Sequence, residues 1–239
     1  MVSNSAIRET TPKARFTLIG VRRGMLRLMP VAIFVIPFGI GFGAAAVQTG
    51  VSTTQASIMS GLVFAGASQF AVLDLWQSPL PLFSLALVAL AVNARHIIMG
   101  AALSGWINQL PPWQRALALV TLSDANFADT QTSLRSGDPE IGYLLGGGLM
   151  LWMAWTTGTI LGATIGSLAG NLDQWGVDVV MPAFFAAVVC GDLRQGARIL
   201  PVITAVAVAL LTVDLLPAGW NIIAAAVSGG LVGAVQHGR

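Results

Sequence analysis

The chain has 239 residues, 55% of them hydrophobic and 9% charged, with a formal net charge of +2 and a mean hydropathy of +0.78. A water-soluble domain faces its solvent with about 25% charged residues, so this composition excludes an ordinary soluble domain and predicts a chain solvated by membrane lipid. A single cysteine, Cys190, and two distant histidines, His96 and His237, exclude an intramolecular disulfide and the spacings of a zinc site. No metal, cofactor or nucleic-acid partner is expected.

Residues 1–27 form a basic head. Arg8, Lys13, Arg15, Arg22, Arg23 and Arg27 all precede the first long apolar run, and such clusters stay on the cytoplasmic side. The outline also fits a secretion signal, with Ala44-Ala45-Ala46 resembling a cleavage site. Several equally apolar runs follow, however, and would be stranded without the first.

Crossing roughly 30 Å of hydrocarbon takes about 20 apolar residues at 1.5 Å each. Runs of this kind are expected at residues 28–48, 55–75, 80–104, 141–170, 179–193, 197–216 and 218–236. The predicted fold is an all-α, polytopic helical membrane bundle, with one transmembrane domain over 28–236 and a short tail at 237–239.

In the first run, "IPFGIGFGAAA" (36–46) combines Pro37 with three glycines spaced two apart. Proline removes a backbone donor and glycine weakens a helix, so a kink or break is expected here. Broken helices at mid-membrane expose backbone groups that bind polar ligands. The second run carries "FAGASQF", with Ser68 and Gln69 flanked by Phe64 and Phe70, and Asp74 near its end. Uncharged polar side chains in such runs often join neighbouring helices.

The third run contains "AVNARHIIMG" (91–100). Arg95 stands fourteen residues after Pro81 and eight before Leu103, about 21 Å and 12 Å from the two ends. An unpaired arginine at helix centre costs about 2.5–3.5 kcal/mol on the most lenient scale. Arg95 must therefore snorkel to the nearer interface or meet a carboxylate, from the protein or from a ligand. Asn93 and His96, three apart, share a helix face, and Arg95 projects elsewhere.

A weaker run, "WQRALALVTLSDANFA" (113–128), follows Pro111 and Pro112 and carries Arg115, Asp124 and Asn126. If it spans, the bundle has eight helices, and Arg135, Arg194, Arg198 and Arg239 join the basic head on one side. If it does not, there are seven, and those arginines move outside, against the positive-inside bias. Eight is the expected number.

In the run 141–170, Gly158, Gly162, Gly166 and Gly170 recur every four residues, with Ala154, Gly146 and Gly142 in the same row. Such a row lets another helix approach closely, so Gly158, Gly162 and Gly166 are expected to pack helices. "FAGASQFAVLDL" (64–75) aligns weakly with "PAFFAAVVCGDL" (182–193) at an offset of 118, the pattern of two structural repeats. The repeats would be parallel with eight spans and inverted with seven. Asp178 fits a helix entrance. Trp76, Trp106, Trp113, Trp175 and Trp220 stand near run ends, as interface anchors do.

Together these residues suit a zwitterionic amino acid. Arg95, or free backbone donors near 66–69, would take its carboxylate and Asp124 its ammonium, while Phe64 and Phe70 would wall an aliphatic side chain. The candidate substrate-binding set is Ser68, Gln69, Asn93, Arg95, Asp124, Phe64 and Phe70. His96, whose residue type titrates near neutral pH, and Asp124 are candidate proton carriers. A channel or carrier for another small solute and a non-transporting scaffold are the competing readings. No P-loop is present, so direct ATP drive is not expected, and no nucleophile accompanies His96 to make an enzyme.

"IPFGIGFGAAAVQTG", "VFAGASQFAVL", "NARHIIMGAAL", "LSDANFA" and "VDVVMPAFFAAVV" occur in an order that resembles the AzlC family, the large subunit of bacterial branched-chain amino-acid exporters. The resemblance covers residues from about 20 to 190. It implies a multi-pass exporter of branched-chain amino acids, with methionine a further substrate, in the bacterial inner membrane. It also implies a small hydrophobic membrane subunit of the AzlD family as partner. Where that family reads "TDE" this chain has Ser123-Asp124-Ala125, so only Asp124 carries over.

Overall fold

A computed structural model of the chain describes residues 13–169, 186, 189–191, 193–194, 198–216 and 220–237. The run 179–193 therefore lies largely outside the described residues, as do Gly170, Trp175, Asp178 and most of the second half of the weak repeat. The regular elements described are α-helices: α1 (Leu18–Gln48), α2 (Thr53–Val63), α3 (Gly66–Leu73), α4 (Leu82–Asn93), α5 (Arg95–Ile107), α6 (Pro112–Val120), α7 (Asp124–Arg135), α8 (Gly142–Ala169), α9 (Ile199–Thr212) and α10 (Trp220–His237). Among the described residues three stretches are long and apolar enough to cross a membrane: Leu18–Gln48, Leu82–Ile107 and Gly142–Leu168. α9 and α10 are shorter apolar helices.

The chain divides into two compact units, Met1–Ile33 with Arg95–Met153, and Phe34–Ala94 with Ala154–Arg239. α1 and α8 each contribute one half to each unit. In the first unit Met99, Leu103 and Ile107 line one face of α5 and pack with Ala118, Leu122, Leu134, Ile141 and Leu144, the four-residue spacing stacking them on one stripe. The starts of α1 and α8 share one acidic cap. Glu140, 5% exposed, accepts from Thr17 N and Thr17 Oγ1, each at 3.0 Å, and from Gly142 N at 2.9 Å. Helix N-termini carry orphan donors and a positive dipole end, so one carboxylate satisfies both.

In the second unit the later halves of α1 and α8 meet on glycines. A Cβ on Gly39 would stand 2.7 Å from the Trp155 carbonyl oxygen and one on Gly158 2.5 Å from that of Ile36. One on Gly162 would collide with the carbonyl of Ile40. This packing corrects the expected break in the first run, since α1 continues for 31 residues through Pro37. Each helical glycine costs about 1 kcal/mol, but here close backbone approach offsets that cost, and Pro37 itself faces outward.

The break falls in the second run instead. Phe64 takes the left-handed region at φ 41°, ψ 49°, Ala65 follows at φ −142°, ψ 75°, and α3 begins at Gly66. A bulky residue with positive φ is uncommon. Two residues on, the side-chain-free Gly66 admits the indole of Trp155, which a Cβ would approach to 2.8 Å. The third run is interrupted only at Ala94, whose N–H turns back to Ala91 O at 3.4 Å. The weak run consists of two helices, α6 and α7, of 9 and 12 residues. At about 14 and 18 Å neither crosses a bilayer alone.

Candidate functional site

Polar side chains gather in both units. In the first, Arg95 opens α5 and Asp124 opens α7, and Arg95 Nη1 stands 2.9 Å from Asp124 Oδ2, with the side chains 39% and 62% exposed. A carboxylate in the first turn of a helix is favoured by the dipole, and Arg95 faces it from the middle of the 26-residue apolar stretch Leu82–Ile107. The pair is open to its surroundings. His96, the next residue, is half-buried.

Asn126 positions Asp124. It is fully buried, and its Nδ2 donates to Thr121 O at 2.7 Å and Leu144 O at 2.8 Å. Its Oδ1 accepts from Ser123 N at 2.7 Å and Ser123 Oγ at 3.0 Å. One amide side chain thus closes the end of α6, caps the start of α7 and ties both to α8.

Two more ion pairs belong to this unit. Arg27 Nη2 meets Asp129 Oδ1 at 2.8 Å, and its guanidinium lies 4.6 Å from the centroid of the Tyr143 ring. In the connection between α7 and α8, Asp138 accepts from Tyr143 Oη at 2.8 Å and Arg15 Nη2 at 2.9 Å. The Tyr143 hydroxyl first, and Arg15 after it, hold the Asp138 carboxyl below the usual range.

The second unit carries the polar residues of the α2–α3 break. Trp155 Nε1 donates to Gln69 Oε1 at 2.9 Å and Gln69 Nε2 to Ser60 Oγ at 3.0 Å. Ser60 Oγ and Thr159 Oγ1 are 2.8 Å apart. Ser68 Oγ donates to Ala65 O at 2.9 Å and accepts from Asn93 Nδ2 at 3.0 Å. Phe70 packs edge-on to Phe42, whose ring stacks on Trp155 with centroids 5.3 and 5.7 Å apart. Phe64 is half-buried at the break itself.

The expected substrate set is thus divided. Arg95 and Asp124 are joined in the first unit, whereas Ser68, Gln69, Asn93, Phe64 and Phe70 gather around the break in the second. Gln69 and Phe70 are sealed within protein in this structure. Gly158 and Gly162 face α1, and Gly166 continues their buried row. Sequence reasoning missed Trp155, Ser60 and Thr159, although the four-residue spacing of Trp155 and Thr159 marks one face of α8. It also missed the Arg27–Asp129 pair and Glu140, for which no local pattern exists. Among the described residues no group of three His, Cys, Asp or Glu side chains could hold a metal ion.

A family model described as "AzlC protein" matches residues 30–169. The chain is 29% identical over 216 residues to the inner membrane protein YgaZ of Escherichia coli, covering 87% of each chain. It is 32% identical over 213 residues to an uncharacterized membrane protein of Archaeoglobus fulgidus, covering 88% of this chain and 93% of the other. A membrane protein of Helicobacter pylori, also uncharacterized, is 28% identical over 148 residues, 62% of this chain and 64% of its own. No solved structure matches.

Proposed function

The chain belongs to the AzlC family, and from that premise we propose that it exports branched-chain amino acids, with methionine a further substrate, by alternating access. The observation that carries this reading is the open Arg95–Asp124 pair in the middle of a stretch able to cross the membrane. An amino acid bears a carboxylate and an ammonium on one carbon, and a guanidinium and a carboxylate 2.9 Å apart are its complement. A zwitterion entering between them exchanges one ion pair for two charge-assisted contacts. An exposed pair is worth only about 0–1 kcal/mol, so opening it costs little.

In this reading His96 tunes or relays a proton beside the pair, and an ion or proton gradient drives export. The α2–α3 break, with Phe64, Ser68, Gln69, Phe70 and Asn93, is a separate polar station that substrate reaches when the Gln69 network opens. The chain occupies the bacterial inner membrane in eight spans, α6 and α7 together making one broken crossing, with its N-terminus cytoplasmic. A small hydrophobic subunit of the AzlD family completes the exporter. The test is efflux of labelled leucine from loaded cells bearing this chain with that subunit. Arg95→Gln should abolish efflux at equal membrane abundance. Parent-like efflux by Arg95→Gln across a range of pH would falsify the assignment.

A further inference from the structure

The two ion pairs that α7 makes differ in kind. The Arg95–Asp124 pair is open, whereas the side chain of Asp129 is 16% exposed. Its Oδ1 takes the contact from Arg27, while its Oδ2 is shut off from solvent and has no hydrogen-bond partner. A carboxylate keeps its charge in a buried setting by accepting donors on both oxygens, and here one oxygen accepts none. The hydroxyl of the next residue, Thr130, is also buried without a partner.

The charged and titratable groups around Asp129 come from every neighbouring element. Arg27 reaches it from α1. Tyr143 of α8 lies under the Arg27 guanidinium and passes its hydroxyl to Asp138, which also holds Arg15. On α7 itself the other charges are Asp124 and Arg135 at the two ends.

Arg27 has a second resting place. Its guanidinium already stacks on Tyr143, and a cation over an aromatic face is stabilised without a counter-ion. Neutralising Asp129 therefore does not leave a bare arginine behind.

We propose that Asp129 is a proton-binding site. A proton from the aqueous phase adds to Oδ2, the carboxyl becomes neutral, and Arg27 gives up the ion pair while it stays stacked on the ring of Tyr143. Loss of that proton to water restores the pair. Because Arg27 belongs to α1 and Asp129 to α7, the proton sets how tightly these two helices are held. This site is separate from His96. Its link to amino-acid movement rests on the exporter reading above, while the binding of the proton does not.

Tyr143 is the only tyrosine in the chain, so a ring-13C tyrosine label gives one resonance that reports directly on Arg27. The experiment titrates that resonance in the purified full-length chain in lipid nanodiscs, from about pH 8 to about pH 4, well below tyrosine's own range near 10. A single transition within that titrated range is expected in the parent chain, in Asp124→Asn and in Asp138→Asn. It should vanish in Asp129→Asn and return at a shifted midpoint in Asp129→Glu, which separates loss of a titrating group from misfolding. Persistence of the transition in Asp129→Asn overturns the proposal, as does its absence from the parent chain or from Asp129→Glu. In proteoliposomes Asp129→Asn should keep exchange of leucine for leucine and lose acceleration by an imposed pH gradient; continued acceleration overturns the coupling. If no preparation moves leucine while the transition is present and Asp129-dependent, the exporter reading fails and the proton site stands.

Discussion

Replacing Asn126 by alanine tests how the first polar cluster is held together. The change removes the two donors of Nδ2 and the acceptor that Ser123 uses. Thr121 O lies just past the end of α6 and loses the amide that satisfies it, at about 1–3 kcal/mol for an unsatisfied buried group. Leu144 O lies inside α8 and keeps its intrahelical bond, so its loss is closer to the average of about 0.6 kcal/mol for side-chain hydrogen bonds in membranes. The Ser123 cap adds about 0.5–2 kcal/mol. Asn126→Ala should therefore destabilise the fold by about 2–5 kcal/mol, read from reversible unfolding in mixed micelles. Asn126→Asp keeps the acceptor for Ser123 but sets a carboxylate against two carbonyls. It should be worse than alanine near neutral pH and recover partly in acid, where the protonated carboxyl can donate to one of them. If Asn126→Ala costs less than about 0.5 kcal/mol, the amide does not organise the α6–α7 junction and the argument fails.

Gly162→Leu places a side chain against the Ile40 carbonyl and should lower the folded fraction in membranes sharply. Gly61→Leu, where nothing stands within 4 Å of a new Cβ, should leave it near the parent value, and equal behaviour of the two variants would show that the glycine row does not pack α1 on α8. Asp138 has a depressed folded-state carboxyl, so its contribution is present above the ordinary value of 3.8 and is lost as pH falls through the depressed value. The melting temperature of Asp138→Asn should fall below that of the parent near pH 6 and converge with it in strong acid; a gap that does not change with pH would refute the assignment.

The lipid-facing character and the positions of α1 and α8 were legible because apolar length is a local property. From the cost of a charge in that stretch the sequence left Arg95 to snorkel or to meet a carboxylate, with Asp124 and a substrate as candidates, and the fold sets it beside Asp124. The break was misplaced for a physical reason. Pro37 and its glycines are poor helix residues taken singly, but Gly39 and Gly43 lie against the α8 backbone, and that contact keeps α1 continuous. Phe64 carries no local signal for a left-handed turn, and the Trp155 indole that lies over Gly66 comes from a helix much further along the chain. Arg27 reads as one more basic residue of the N-terminal head until α7 brings Asp129 to it.

The acidic cap shared by α1 and α8 also bears on how the protein is made. Thr17 and Glu140 are 123 positions apart, and synthesis runs at about 5–20 residues per second. Between the emergence of Thr17 and that of Glu140 the ribosome works for roughly 6–25 s. Throughout that interval Thr17 has no carboxylate to receive its amide and hydroxyl. Water must serve them instead, so the nascent helix has to wait with its first turn at a wet boundary. Only when the connection that bears Glu140 has been translated can that turn be locked.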